Sequence, residues 1–189
     1  MKLISRCTLV ICFVFSFVAL AQDNSQQTNN KVNLGVSIQA YPAGIIPTVN
    51  LELFTSEKSS FLFRLGYNIV DRQDFSEFND TETGGGFGGS VGYRRHFPLN
   101  KGKIIAGFNT DIWNLDIDWT EEFSDFSLSG TTNTLVVQPW LEAGYIYPFK
   151  KSEIGITAGF GREINVITNG EEVEQGFIAS ILLQYSFSL

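Results

Sequence analysis

The sequence predicts an all-β protein, an eight-stranded antiparallel up-and-down transmembrane β-barrel. Three observations predict it. Apolar and polar residues alternate with a period of two through eight successive segments. The polar phase is rich in glycine and serine, whereas the apolar phase is rich in aromatics. The connections between segments, after a brief first one, alternate between short and long.

Composition bounds the alternatives. The 189-residue chain is 43% hydrophobic and 14% aromatic, too apolar to stay disordered and about the length of one domain. Acids outnumber bases 20 to 13, so no nucleic-acid partner is expected. One histidine, and cysteines only at Cys7 and Cys12, give no ligand set for a zinc site; neither a metal nor a cofactor is expected.

Residues 1–21 have the plan of a secretory signal peptide. Lys2 and Arg6 form a basic start, an apolar run follows to Leu20, and Ala19-Leu20-Ala21 is a small-residue cleavage site. The alternative is an uncleaved transmembrane helix. Ile11 before Cys12 is too bulky for a lipoprotein signal. Cleavage removes both cysteines, so disulfides cannot staple the exported chain. A polar periplasmic leader, 22–30, is expected before the barrel, 31–189.

The first segment, 31–41, places Val32, Leu34, Val36, Ile38 and Ala40 on one face and Asn33, Gly35, Ser37 and Gln39 on the other. Similar segments follow at about 45–55, 59–70, 85–97, 103–119, 133–147, 153–167 and 177–189. Each is long enough to cross a bilayer at a tilt, for which ~9–11 residues suffice. In the fifth, Ile104, Ala106 and Phe108 are apolar on even positions and Trp113, Leu115, Ile117 and Trp119 on odd ones. That predicts a phase slip near Ile112–Trp113. With the intervening loop centred near residue 126, Trp113 lies opposite Pro139, which cannot donate to a sheet ladder, and one β-bulge at that level would explain both anomalies; the alternative is a shorter strand with 113–119 as a loop-side extension. The run Gly84–Gly89 lacks the Lys-Ser/Thr of a phosphate loop and reads as a flexible junction into the fourth strand.

Short connections fall at 55–60, 98–103 and 148–152, and long ones at 71–83, 120–132 and 168–176. With the N-terminus in the periplasm, all the short ones lie there and all the long ones lie outside, as in outer-membrane barrels. A soluble lipocalin-like barrel could show the same alternation with its faces reversed. The residue types decide between them. Gly35, Gly66, Gly88, Gly92, Gly107, Gly144, Gly155, Gly159 and Gly161 suit a narrow lumen, where they leave room for larger polar side chains. Phe61, Phe87, Tyr93, Phe108, Phe160, Phe177 and Tyr185 suit a lipid belt with interfacial girdles.

The last segment carries Phe177, Ala179, Ile181, Leu183, Tyr185, Phe187 and Leu189 in one apolar row to the final residue. It resembles the C-terminal strand of bacterial outer-membrane barrels, which the barrel-assembly machinery reads; those usually end in Phe, this chain in Leu189. Length, strand number and loop sorting resemble the small eight-stranded barrels of the OmpA and OmpX type. The resemblance implies the outer membrane of a Gram-negative bacterium, a monomer, and outer-membrane lipid, lipopolysaccharide and the assembly machinery as partners. Its members include adhesion proteins, structural proteins and lipid-A-modifying enzymes, so fold does not choose function.

Candidate functional residues fall in two places. Glu52, Arg64, Arg94 and Glu142, with Glu163 and Asp111, share the inward phase. The first four are expected to form one charge-balanced cluster near the periplasmic rim, because an unpaired buried charge is costly; the readings are an ion-pair plug or a gate. The outer connections are acidic: Asp71, Asp74, Glu77, Asp80 and Glu82 face only Arg72, and Asp116, Asp118, Glu121, Glu122, Asp125, Glu171, Glu172 and Glu174 face no base. They match no EF-hand spacing and read as solvated loop. Phe75, Phe78, Phe123 and Phe126 among them are candidate contacts to a partner or to lipid headgroups. His96 falls at the periplasmic rim without a local serine motif and is not expected to be catalytic.

The function expected is therefore a non-enzymatic outer-membrane barrel, structural or binding through its loops. A narrow gated channel and a soluble periplasmic barrel for an apolar ligand are the alternatives, with an enzyme a weaker fourth.

Overall fold

The computed structural model describes residues 32–73 and 80–189. The expected signal peptide, the leader, Phe75 and Phe78 lie outside the described residues. The described elements are β1 (Val32–Tyr41), β2 (Gly44–Ser56), β3 (Ser59–Gln73), β4 (Thr81–Pro98), β5 (Lys103–Glu122), β6 (Ser127–Pro148), β7 (Ser152–Arg162), β8 (Ile164–Asn169) and β9 (Phe177–Ser188). All pairings are antiparallel, and β1 closes against β9, so the sheet is a ring. β7 and β8 are two lengths of one stave. Both pair with β6, in the same register on either side of Glu163: Trp140↔Gly161 below and Val137↔Ile164 above. Nine strands thus fill eight positions.

The stagger of the ring follows from the register. From Asn33 the partners run through Glu52, Leu62, Gly92, Asn109, Trp140 and Gly161 to Ile178. Extending Ala40↔Ile181 by three residues sets Ile178 opposite position 43, ten residues beyond the start. Eight strands with that shear tilt by about 40° and enclose a barrel of roughly 8 Å radius, which side chains can fill. Each residue then climbs ~2.5 Å along the axis.

The lower part of the barrel is built inside out. Val36, Val49, Leu65, Phe87, Phe108, Leu141, Phe160 and Ile181 are exposed, while Ser37, Asn50, Arg64, Asn109, Glu142 and Gln184 are buried. No helix among the described residues is long and apolar enough to cross a membrane; the crossing belongs to this exposed belt, roughly 25 Å tall as in membrane barrels. Water cannot stabilise so continuous an apolar surface.

Small residues facing large ones fit the lumen together. A side chain at Gly88 would run into the Trp113 ring, and one at Gly159 into the Trp140 ring. Gly102 has another reason: its φ of 83° closes the turn in which Leu99 N–H donates to Gly102 O at 3.0 Å.

Three expectations are corrected. There is no phase slip in β5 and no bulge at Trp113. The β5–β6 ladder keeps one register throughout, with Trp113 opposite Val136 and Pro139 opposite Thr110. Ile105, Asn109, Asp111, Trp113, Leu115 and Ile117 all point inward. What changes is the polarity of the barrel. Above Asp111 the inside becomes apolar, and Asn114, Asp116 and Asp118 coat the outside. Pro139 stands where the seventh stave is interrupted at Glu163, a place where a missing N–H matters least.

Second, the long connection 120–132 is largely strand. β5 and β6 run on to Glu122 and Ser127, leaving a tight turn in which Phe123 N–H donates to Phe126 O at 2.8 Å. The 22 residues of β6 climb about 55 Å, twice the belt. Third, Gly84–Gly89 is no flexible junction. It lies inside β4, in register with β3 and β5.

The apolar interior of the upper part is a core of the ordinary kind. Tyr41, Ile46, Val70, Trp113, Leu115, Ile117, Val136 and Ile178 meet there. Ile117→Val is expected to destabilise by about 0.5–1.5 kcal/mol, and Asp116→Asn on the outer coat by less than about 0.5 kcal/mol. Urea titrations of the folded barrel read both.

Candidate functional site

The lumen is filled by tiers of paired polar side chains rather than by one cluster. At the rim where the short turns, Val32 and Ser188 lie, here the near rim, Lys103 Nζ donates to Glu153 at 3.0 Å and Asn33 Nδ2 to the same carboxylate at 3.2 Å. Behind them Ser60 Oγ donates to Glu52 Oε1 at 2.6 Å, and His96 Nε2 lies 3.3 Å from that oxygen. In the next tier Arg94 Nε and Nη2 hold both oxygens of Glu142, at 2.5 and 3.0 Å, while Nη1 donates to Gln184 at 2.9 Å. Above it Arg64 donates to Asp111 at 2.7 Å, Gln39 at 2.8 Å and Ser90 at 2.6 Å, with its guanidinium 4.9 Å over the Trp140 ring. Trp140 Nε1 also donates to Asp111, at 2.9 Å.

All four residues expected in the cluster are buried in the lumen, and Arg94 with Glu142 forms a bidentate pair. The single cluster is corrected. Arg64 is spent on Asp111, and Glu52 on Ser60 and His96. The reason lies in the register: Arg94 stands opposite Ser60 and Arg64 opposite Ser90, four residues apart along the β3–β4 ladder, so the two guanidiniums serve different tiers. Glu142 reaches Arg94 because Gly107 lies between them in the ring, where a side chain would collide with both.

Two juxtapositions were not foreseen. Ser60 Oγ lies 2.7 Å from His96 Nε2, a serine and histidine brought together from β3 and β4. The arrangement is not that of an acyl-transfer relay. Glu52 sits on the same imidazole nitrogen as the serine, whereas an orienting acid belongs on the opposite one. Ser60 and His96 are also both buried. No stretch of sequence announces the pair; Ser60 and Arg94, and by extension His96, become neighbours only through the β3–β4 register.

The other lies at the opposite, far rim. Arg72 and Glu82, expected in an exposed loop, are buried in β3 and β4. Arg72 bridges Glu82 at 2.5 Å and Glu163 at 3.3 Å, and Gln138 donates to Glu163 at 2.7 Å. The connection 170–176 folds inward over this tier. Val173 enters the apolar core, Glu174 N–H donates to Glu82 at 3.1 Å, and Thr132 Oγ1 and Asn165 Nδ2 hold the carbonyls of Glu171 and Val173, each at 2.9 Å. The far mouth is thereby closed. A cleft of about 160 Å³ remains beside it, between Pro42, Ala43, Arg72 and Glu163 on one side and Glu174–Ile178 on the other.

Phe123 and Phe126 occupy the tip of the tall β5–β6 hairpin. Their rings stack with centroids 4.6 Å apart and 19° between planes, and both are exposed. Asp80 accepts from Glu122 N–H at 2.5 Å, tying the tip to the β3–β4 connection. Among the described residues no group of histidine, cysteine and carboxylate side chains is placed to hold a metal.

A closed eight-position barrel whose lower part is apolar outside and polar within defines the class: a small membrane β-barrel. Three known structures resemble it. Neisserial surface protein A has a TM-score of 0.55 at 8% identity, over 85% of this chain and 97% of that one. Ail of Yersinia pestis bound to sucrose octasulfate has 0.48 at 8%, over 86% and 100%. The N-terminal β-barrel domain of Pseudomonas aeruginosa OprF has 0.44 at 14%, over 85% and 100%. No protein-family model and no curated protein matches the sequence. The likeness to the neisserial protein carries the assignment: the chain has the fold of the small outer-membrane barrels of the OmpA and OmpX type.

Proposed function

We propose that the protein is a non-enzymatic, monomeric barrel of the Gram-negative outer membrane, its near rim in the periplasm, and that it acts by binding at the cell surface through the β5–β6 hairpin. One observation carries this reading. Two stacked phenylalanines stand exposed at the tip of a hairpin that rises well clear of the lipid belt. An aromatic pair held there by a closed turn and left about half exposed is the signature of a contact surface. Replacing both by serine should leave the heat-modifiable folded form intact and lower retention of barrel-displaying cells on an octyl-coated surface severalfold. Unchanged retention refutes the binding role of the tip.

Orientation is tested from the same cells. A glutamate-specific protease added outside is expected to cut near Glu121 or Glu172, and a lysine-specific protease to spare the turns at Lys101 and Lys150. Cutting at the lysines inverts the topology.

The channel reading has less support, since buried ion pairs occupy the lumen at successive heights and 170–176 closes the far mouth. Planar bilayers holding the purified barrel should show no conductance steps; stepwise currents would favour a pore. The exposed belt weighs against a soluble barrel, which a carbonate wash would release from membranes. The closed Ser60–His96 arrangement offers no support for an enzyme.

A further inference from the structure

We infer that the near rim is a binding surface for the phosphate groups of anionic glycerophospholipids in the leaflet it faces. The inference rests on the membrane-barrel reading above and adds a ligand to it.

Two of the turns on this rim share a plan. Leu99 opens one and Phe149 the other; both are about half exposed, at 51% and 52%. Each turn is closed by its own backbone, Leu99 N–H to Gly102 O at 3.0 Å and Phe149 N–H to Ser152 O at 2.6 Å. Exposed lysines follow within two residues, Lys101 in the first and Lys150 and Lys151 in the second. The apolar residue continues the lower edge of the belt, so the ammonium groups hang just beyond the acyl region, at the depth of lipid phosphates. Lys58, in the tight β2–β3 turn, adds a third point on the ring.

Among the described residues, none of these lysines is taken up in an ion pair. Lys103 is: it pairs with Glu153 at 3.0 Å and lies 5.0 Å over the Phe54 ring. Glu153 also accepts from Asn33, so among the described acidic side chains of this rim Glu57 is the one left to oppose the exposed lysines. The scaffold beneath is fixed, with Tyr145 Oη donating to the carbonyl of Lys101 itself. A lysine ammonium is a compact charge that holds phosphate without a demanding geometry. The far rim has the opposite sign, with Asp116, Asp118, Glu122 and Asp125 exposed, so it offers no such site for phosphate. Charge sorted this way along the axis selects an anionic surface at one end only.

The test is native mass spectrometry of the detergent-purified full chain supplied with phosphatidylglycerol or phosphatidylcholine. Retention of phosphatidylglycerol is expected to exceed that of phosphatidylcholine by about tenfold. The variant K58Q/K101Q/K150Q/K151Q should lose the difference, and the corresponding arginine variant should keep it. Equal retention of the two lipids, or a difference that survives the glutamine variant, overturns the inference while leaving the barrel reading intact. If millimolar inorganic phosphate strips the bound lipid as readily as the glutamine changes do, the site is for free phosphate and the lipid assignment fails. If the chain gives no heat-modifiable folded form in detergent or in reconstituted vesicles of either lipid, the barrel reading itself fails.

Discussion

Arg94→Met should destabilise the barrel by about 3–5 kcal/mol, because it strands the Glu142 carboxylate in the lumen without its bidentate donor. Both side chains are fully shielded from solvent. The cost is the solvation that the carboxylate lost on folding and no longer has replaced; water entering the vacated space would lower it. The companion change Glu142→Gln removes the charge that needs compensating. The double variant should therefore recover most of the loss, giving a coupling of some kcal/mol in a double-mutant cycle. Equilibrium unfolding in urea reads each variant. Losses that simply add would mean that the two groups do not interact. Gln184, which accepts from Arg94 at 2.9 Å, should show the same pattern on a smaller scale.

Leu141→Arg should cost roughly 2–4 kcal/mol for a quite different reason. Leu141 is 62% exposed and lies halfway up the apolar belt, between Tyr147 below and Leu135 above on the outer face of β6. A guanidinium there has only hydrocarbon around it. Glu142, one residue on, faces the lumen and takes part in the preceding prediction. Adjacent residues thus respond to opposite rules, lipid solvation on one side of the wall and ion pairing on the other. If Leu141→Arg is neutral in bilayer-embedded protein and Arg94→Met is neutral too, the faces have been assigned the wrong way round.

The barrel was legible in the sequence because period-two alternation assigns faces without long-range information. Val36 and Ile38 outside, Ser37 and Gln39 inside, need only their neighbours in the chain. The polarity of the upper part was not legible in the same way. Trp113, Leu115 and Ile117 keep the inward phase of Asn109 and Asp111, but an inside-out rule reads their apolar character as outward and infers a slip. Nothing local distinguishes a shifted strand from an unshifted one that has left the membrane. Pairing in the lumen was legible only in part. Arg94 and Glu142 were recognisable as inward charges, whereas the choice of Asp111 over Glu52 by Arg64 depends on the shear of the whole ring. Ser60 beside His96, and Arg72 with Glu82 and Glu163, depend on register and on a folded connection, which no residue pattern encodes.

The reversal of polarity above Asp111 also bears on how the protein reaches its place. If the barrel enters from the periplasm, the end that finishes outside has to pass through the bilayer first. That end is coated with Asp116, Asp118, Glu121 and Glu122, and each such group costs about 2.5–3.5 kcal/mol at the centre of the hydrocarbon. Its tryptophan and isoleucine side chains would meanwhile be drawn toward lipid, away from the core they later form. The leading half is therefore the one least suited to the crossing, and a preformed cylinder cannot simply be pushed in. Spontaneous entry into plain vesicles should be slow, and a hairpin-by-hairpin route through a sheltered gap should be fast. The same carboxylates then act as a latch: once across, they hold the upper half in water and make withdrawal as unfavourable as entry was.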